Sequence, residues 1–396
     1  MTSVQSVLKN FLTRPILVGT LAAGFATPSF AATATNPPGD PLAQCRLPEM
    51  GILHDVGLGF PRIPFRLKTV GDVHFTVIFV DFSDAPASKT PQDVMAIISP
   101  QAERYYEAVS YGKMHLVFDA DFNWIRMGKA SADYKFSRGA SFETHRTYMQ
   151  EAVDRAGPLG YSKADAILVL ANPDVKAIDW GPAFAALPGH GIKAGGREFD
   201  NGATSGSDLS VLGWTWFNHE IGHTMSLVDL AGPLPRSGLW HTYVGDFSIM
   251  GNPTGAAPEY FGWERWQLGW LDDSQVVCAN TPIDRVKLTP IERPGGTKIA
   301  IAPTGPSTAV VVESRRAEGF DKKLPKPGPL VYTIDTRLST HDGAIRVQPV
   351  DDSDTHHLQA PLSPGQTIKV GKVSVELMSS DASGDTVRII NGVPRD

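Results

Sequence analysis

Cysteine is nearly absent. The 396 residues hold two, Cys45 and Cys278, enough for one disulfide and for no framework of them. An excess of positive charge is also missing. Lys and Arg number 36 against 42 Asp and Glu, a formal net charge of −6. That excludes the basic footprint of a nucleic-acid binder and the polybasic anchor of a membrane-surface protein. No long apolar run exists. Pro15 to Ala26 is apolar but too short to span a bilayer comfortably. No internal repeat marks a solenoid or propeller. Nothing reads as a phosphate-cradling Gly-rich loop or a serine nucleophile elbow.

What remains is globular in composition, 42% hydrophobic and 20% charged, and long enough for two domains. Pro (31) and Gly (38) are plentiful and predict many turns. The N-terminus has the layout of a secretory signal peptide over residues 1–31. Lys9 and Arg14 give a cationic start, the apolar run follows, and Ser29 and Ala31 are small residues before a cleavage point. The mature protein is therefore expected to be secreted or periplasmic, with no membrane span. In an oxidising compartment Cys45 and Cys278 are expected to pair. Closing so long a loop would stabilise by up to about 5 kcal/mol in the chain-entropy model. The alternative is that Cys45, in AQCRLPEMG, is a thiolate that caps a metal.

Residues 32–70 are Pro-rich, lack periodicity and read as an extended leader. His74 to Asp84 reads as a buried strand. Pro91 opens one helix, and Gln101 to Met114 predicts a second, closed by Gly112. His115 to Met127 is a strand or hairpin, Ser141 to Gly157 a capped helix, and Ala164 to Asn172 another buried strand. Residues 180–212 give only a weak strand signal. From about 283 to 393 short alternating runs such as KIAIAP, AVVVESR and KVSVELM are separated by Gly, Pro and Asp, the pattern of an all-β sandwich.

The chemistry concentrates in WTWFNHEIGHTMSLVDL, Trp214 to Leu230. His219 and His223 lie four apart, so on a helix they share a face and can reach one ion. Glu220 lies beside them as a general base for a water at that ion. The surrounding residues are apolar, where His and Glu are costly without a partner. Gly222 allows close approach of a neighbouring element. Asp229 follows a chain reversal suggested by Ser226 and Ala231-Gly232-Pro233, and could complete a three-ligand site, with Glu259 and Glu264 as alternative carboxylates. FSIMGN, Phe247 to Asn252, places Met250 in a tight turn that could floor the site.

That order of HExxH, a further ligand and a Met-turn resembles the metzincin zinc proteases. With VIFVDFSD, YYEAVSYGKM, GDFSIMGN, WERWQLGWLDD and VVESRRAEGFDKKLPKPGPLVYTID, it resembles the M6 family of secreted metalloproteases, the immune-inhibitor-A type, from about Val73 into the C-terminal region. The resemblance implies a zinc endopeptidase acting on protein or peptide substrates. His219, His223 and Asp229 would be ligands, Glu220 the base and Met250 the Met-turn. It implies an α+β fold: a zincin-like catalytic domain over 71–280 with a mixed sheet and an active-site helix, then an all-β sandwich over 281–396. The chain departs from the family at Ser226, where Gly is usual, and lacks the Tyr and Asp that usually trail the motif. The alternative is a protease-like binding module that has lost catalysis and engages a surface protein or glycan.

Tyr243, His241 and Tyr260 are candidates for donating to the oxyanion of a tetrahedral intermediate. Asp246 is expected to order the Met-turn. Trp263, Trp266 and Trp270 read as core. Asp351 to His357 offers oxygen ligands for Ca²⁺ but lacks loop spacing, and reads first as a solvated turn. Arg315, Arg316, Asp321, Lys322 and Lys323 read as charges that dock the two domains.

Overall fold

The computed structural model describes residues 39–49, 55–137, 139–232, 240–349 and 354–392. The signal segment 1–31 and Asp351 to Ser353 of the calcium candidate lie outside the described residues. The fold is α+β, with a β-rich C-terminal part.

The first sheet starts with β1 (Gly71–Asp81), an apolar strand buried from Phe75 onward. Helices α1 (Pro91–Met95) and α2 (Gln101–Val109) follow. The second helix is shorter than its sequence suggests. Tyr111 (φ 56°) and Gly112 (φ 75°) turn the chain back, so Met114 already opens β2 (Met114–Arg126). Next come α3 (Phe142–Ala156) and β3 (Ala166–Ala171). Ser141 caps α3 by accepting from the Thr144 N–H, and Gly157 ends it at φ 69°. The weak-signal region resolves into four short strands: β4 (Ala183–Ala185), the hairpin β5 (Ile192–Ala194) and β6 (Arg197–Phe199), and β7 (Asn201–Thr204).

The sheet order is β2-β1-β3-β7-β4. All pairings are parallel except that of β4, which runs antiparallel to β7 at the edge. Because β1 is interior to a covered sheet, both its faces are apolar. Val73, Phe75, Val77 and Phe79 pack with α2 and with α5 (Trp214–Thr224), which follows the short α4 (Asp208–Leu212). Ile78 and Val80 pack on the other face with Tyr148, Met149, Ala152 and Val153 of α3.

After α6 (Gly262–Gln267) the chain turns to β structure. Strand β8 (Val276–Cys278) precedes residue 281 yet belongs to the second sheet, so that sheet begins ahead of the predicted boundary. Then come β9 (Ile283–Leu288), β10 (Ile299–Gly305), β11 (Thr308–Arg315), β12 (Gly328–Asp335) and β13 (Ile345–Gln348). The last three strands are β14 (Thr367–Val370), β15 (Val373–Asp381) and β16 (Gly384–Asn391). They form a five-stranded sheet, β13-β12-β11-β10-β8, and a four-stranded sheet, β14-β15-β16-β9. Ala300, Val310 and Val312 face Val286, Val375, Val387 and Ile389 across the sandwich. On the opposite face of the same sheet, Ile299, Ile301, Val311 and Tyr332 join the main core with α5 and α6. That second burial explains why AVVVES carries apolar residues at consecutive positions rather than at alternate ones.

Of the charges assigned to docking, Arg315 and Asp321 sit at this junction and the other three do not. Arg315 is fully buried. It donates to Glu313 and Asp321 and to the carbonyl oxygens of Glu259 and Tyr260. Arg316 pairs with Asp385 within the sandwich, and Lys322 and Lys323 are exposed. The leader packs into the fold: Leu42, Leu47, Leu58 and Leu67 are buried in the main core. Cys45 and Cys278 are disulfide-bonded. The metal-capping alternative for Cys45 is thereby overturned, because its sulfur is already committed. No helix among the described residues is long and apolar enough to cross a membrane.

Candidate metal centre

Helix α5 begins where Gly213, at φ 62°, turns the chain away from α4. Trp216, Phe217 and Ile221 bury one side of it. The helix ends with the Ser226 N–H donating to the His223 carbonyl and the Leu227 N–H to the Gly222 carbonyl. Ser226 sits at φ 92°, a conformation that normally asks for Gly. The reversal sends Asp229 back beside the two histidines.

One donor atom from each of His219, His223 and Asp229 lies within 4.8 Å of the other two. His219 Nε2 is 3.9 Å from Asp229 Oδ2. Two ligands at 2.0–2.2 Å from one ion can stand up to about 4.4 Å apart, so this pair fits a shared ion. The tautomers agree. His219 Nδ1 is 2.8 Å from the Ile249 carbonyl and His223 Nδ1 is 2.9 Å from the Leu227 carbonyl. A carbonyl only accepts, so each Nδ1 carries a proton and Nε2 is the nitrogen turned toward the shared site. Burial, reinforced by neighbouring His219, holds His223 well below the ordinary histidine range, which keeps it in the neutral, ligating form. Asp229 Oδ1 accepts from the Ala231 N–H, leaving Oδ2 toward the histidines.

Glu220 is 4% exposed and its Oε2 accepts from the Ala183 N–H at 2.7 Å. That N–H belongs to the edge strand β4. Pro182 and Ala186 bond inward toward β7 and its flanks, so the outer edge of β4 faces the centre. A cleft of about 710 Å³ joins these groups. Its walls include Phe142, Trp180, Ala183, Ala185, the motif residues, Asp55 and Val56 from the leader, and Ser339, Thr340 and His341. His145 also lines it, but its Nε2 is 2.9 Å from Thr204 Oγ1 and burial pushes it down to about 3, so it is a neutral structural histidine.

Met250 is buried beneath the helix. A Cβ placed on Gly222 would lie 2.3 Å from its sulfur. The same turn supplies the Ile249 carbonyl to His219, and the Met250 carbonyl accepts from the Leu230 N–H. Asp246 orders the turn by accepting from Asn252, from the Ala256 N–H and from His356. Glu259 and Glu264, the alternative third ligands, lie elsewhere. Glu259 pairs with Arg265, and Glu264 accepts from Ser248 and from the Phe261 N–H. Tyr260 is fully buried, with its hydroxyl on the Asn218 carbonyl and near the Tyr106 hydroxyl. The Arg346 guanidinium lies over the Tyr243 ring, and His241 Nδ1 is 3.2 Å from the Gly251 carbonyl. None of these three is among the described residues that line the cleft.

Two contributors escaped the sequence reading. The Ala183 N–H is a backbone group and has no side-chain signature. His341 sits in LSTHDG, a turn between strands with no spacing relation to the HExxH motif.

No protein-family pattern matches this chain, and no curated protein matches it. Among solved structures, it is similar to the crystal structure of metalloproteinase-II from Bacteroides fragilis, with a TM-score of 0.28 and 15% identity. The likeness covers 53% of this chain and 56% of that one, so the chain spans little more than half of its neighbour's length. A likeness of that size fixes neither fold nor activity here.

Proposed function

We propose that the chain is an exported zinc-dependent endopeptidase of the M6 type its sequence resembles, with the catalytic domain over 71–280 and the sandwich over 281–396. One observation carries the reading. Two imidazole Nε2 atoms and one carboxylate oxygen converge, each held by a hydrogen bond from its other end, with a buried carboxylate beside them in a single cleft. Two imidazoles and a carboxylate suit zinc and leave a position open. When bound, the ion would polarise a carbonyl and acidify a water.

The remaining work falls to the chain. Glu220, fixed by the Ala183 N–H, takes the proton of the attacking water and returns it to the departing amine nitrogen. The outer edge of β4 offers main-chain groups to an extended peptide, which would add as a further strand along the cleft. The apolar walls at Phe142 and Trp180 exclude water and receive side chains.

The test compares purified wild type with Glu220→Gln on a peptide library. The wild type is expected to cleave. The variant is expected to fold, to keep its zinc and to lose about 10²–10⁴-fold in kcat/KM. Peptidase activity retained by zinc-loaded Glu220→Gln would sink the mechanism. A folded wild type that cleaves no peptide would favour the binding-module alternative, and turnover of esters alone would favour a different hydrolase.

A further inference from the structure

Hydrolysis by the route above needs one more group, a donor facing the oxygen that gathers charge when the carbonyl is attacked. Tyr260 commits its hydroxyl to the core behind α5, and Tyr243 is not among the described residues of the cleft wall. We propose that His341, brought in by the sandwich, is that donor and therefore a catalytic residue. The assignment rests on the endopeptidase reading.

His341 lies in the connection between β12 and β13 and lines the cleft together with His219, Glu220, His223 and Asp229. Its place is set from the main chain. The His341 N–H donates to the Asp229 carbonyl at 3.0 Å, and the Asp229 N–H donates to Thr340 Oγ1 at 3.2 Å. The loop is thus registered on the third candidate ligand, so any reaction there occurs with His341 at hand. The placement holds the residue at φ 67°, a left-handed conformation uncommon outside Gly, in which Asn, Asp and His are the enriched exceptions. Gly343, two positions on, shows that the same turn does use Gly where it needs it.

The ring has a defined polarity. Its Nδ1 is buried and has no hydrogen-bond partner among the described residues. Its Nε2 lies 3.6 Å from Asp229 Oδ2. A lone pair on Nε2 would face a carboxylate oxygen and be repelled; an N–H there is attracted. The Asp229 carboxylate therefore selects the Nε2–H tautomer. At 3.6 Å the contact is too long to be a committed hydrogen bond. The N–H is oriented by the anion without being consumed by it, and stays available to a second acceptor in the cleft. An N–H aimed into the cleft is the kind of donor an oxyanion site uses. The sandwich would then complete the active site rather than merely brace it.

The experiment compares wild type, His341→Asn and His341→Gln as full-length mature protein. Asn tolerates the left-handed backbone and keeps the main-chain N–H, but its amide stops short of the Nε2 position. Gln carries an amide nitrogen about as far out as Nε2. Zinc content, melting temperature, kcat and KM on one peptide, and affinity for a phosphinic peptide that mimics the tetrahedral species are measured. The expected result for His341→Asn is unchanged zinc and melting, kcat lower by about 10²-fold, and KM within a few-fold. Phosphinic-peptide affinity should drop while affinity for the intact substrate, measured in a Glu220→Gln background, does not. His341→Gln should recover part of kcat. A zinc-loaded His341→Asn with kcat within about threefold of wild type overturns the assignment alone. So does a loss carried by KM or by zinc, with no recovery in Gln. A folded wild type without peptidase activity, zinc-loaded or not, overturns the endopeptidase reading itself.

Discussion

Gly222 shows how tightly single residues constrain this centre. Alanine is worth about 1 kcal/mol more than glycine inside a helix. Here a Cβ would lie 2.3 Å from the Met250 sulfur and 3.0 Å from its terminal methyl, and the Met250 side chain is fully buried. Steric cost outweighs propensity, so Gly222→Ala should destabilise by about 1–3 kcal/mol in a denaturant melt; a stabilised variant would contradict the packing of the turn under α5. The need for a small residue at that position was legible in the sequence, as were His219, Glu220, His223 and Asp229, because their relation is local. Four residues of helix bring the histidines together, and one reversal at Ser226 brings the aspartate. His341 was not legible, because its position is set by a contact between distant segments that no spacing encodes. Ser226 keeps the expected left-handed turn without the expected Gly, and the Gly57 N–H donates to its carbonyl at 2.7 Å, which helps to hold it.

Among the elements, α6 joins an aromatic core to a buried charge. Its aromatic stripe reads as core in the sequence and is core, with Trp263 and Trp266 buried. The same short helix buries Glu264, which burial pushes up to about 7 against hydrogen bonds from the Phe261 N–H and Ser248 that favour the charged form. The folded value lies above the unfolded one of 4.5, so the folded state binds the extra proton between them. The contribution to stability is fully present below pH 4.5 and is lost as pH rises through about 7. Glu264→Gln removes that dependence. The melting temperature of the variant relative to wild type should therefore rise between about pH 5 and about pH 8, and a flat or falling difference would contradict the shift. Elements whose identity depends on context were the ones the sequence blurred. Strands β4 to β7 are three or four residues long with Gly and Ala among them, too short for a period to show. The helix predicted to Met114 ends at Val109, because Tyr111 and Gly112 take left-handed conformations in a turn that β2 pairing requires.

Across the whole molecule, the sandwich was legible from its alternating runs, but its integration was not. One face of the five-stranded sheet closes the sandwich and the other completes the core around α5, while its loop at 336–344 walls the cleft. The leader is woven in as well: Gly57 bonds Ser226, Asp55 lines the cleft, and Cys45 is tied to Cys278 of β8. Reducing that bond frees a long loop in the unfolded chain and should cost about 2–5 kcal/mol, read as a lower melting temperature with reductant; unchanged melting after verified reduction would contradict it. All of this architecture converges on three donor atoms, and the most direct test is the metal content of purified mature protein, wild type beside His223→Ala, by elemental mass spectrometry. The account predicts about one zinc per wild-type chain and its loss in the variant. A well-folded wild type that takes up no metal under zinc-replete conditions would contradict it.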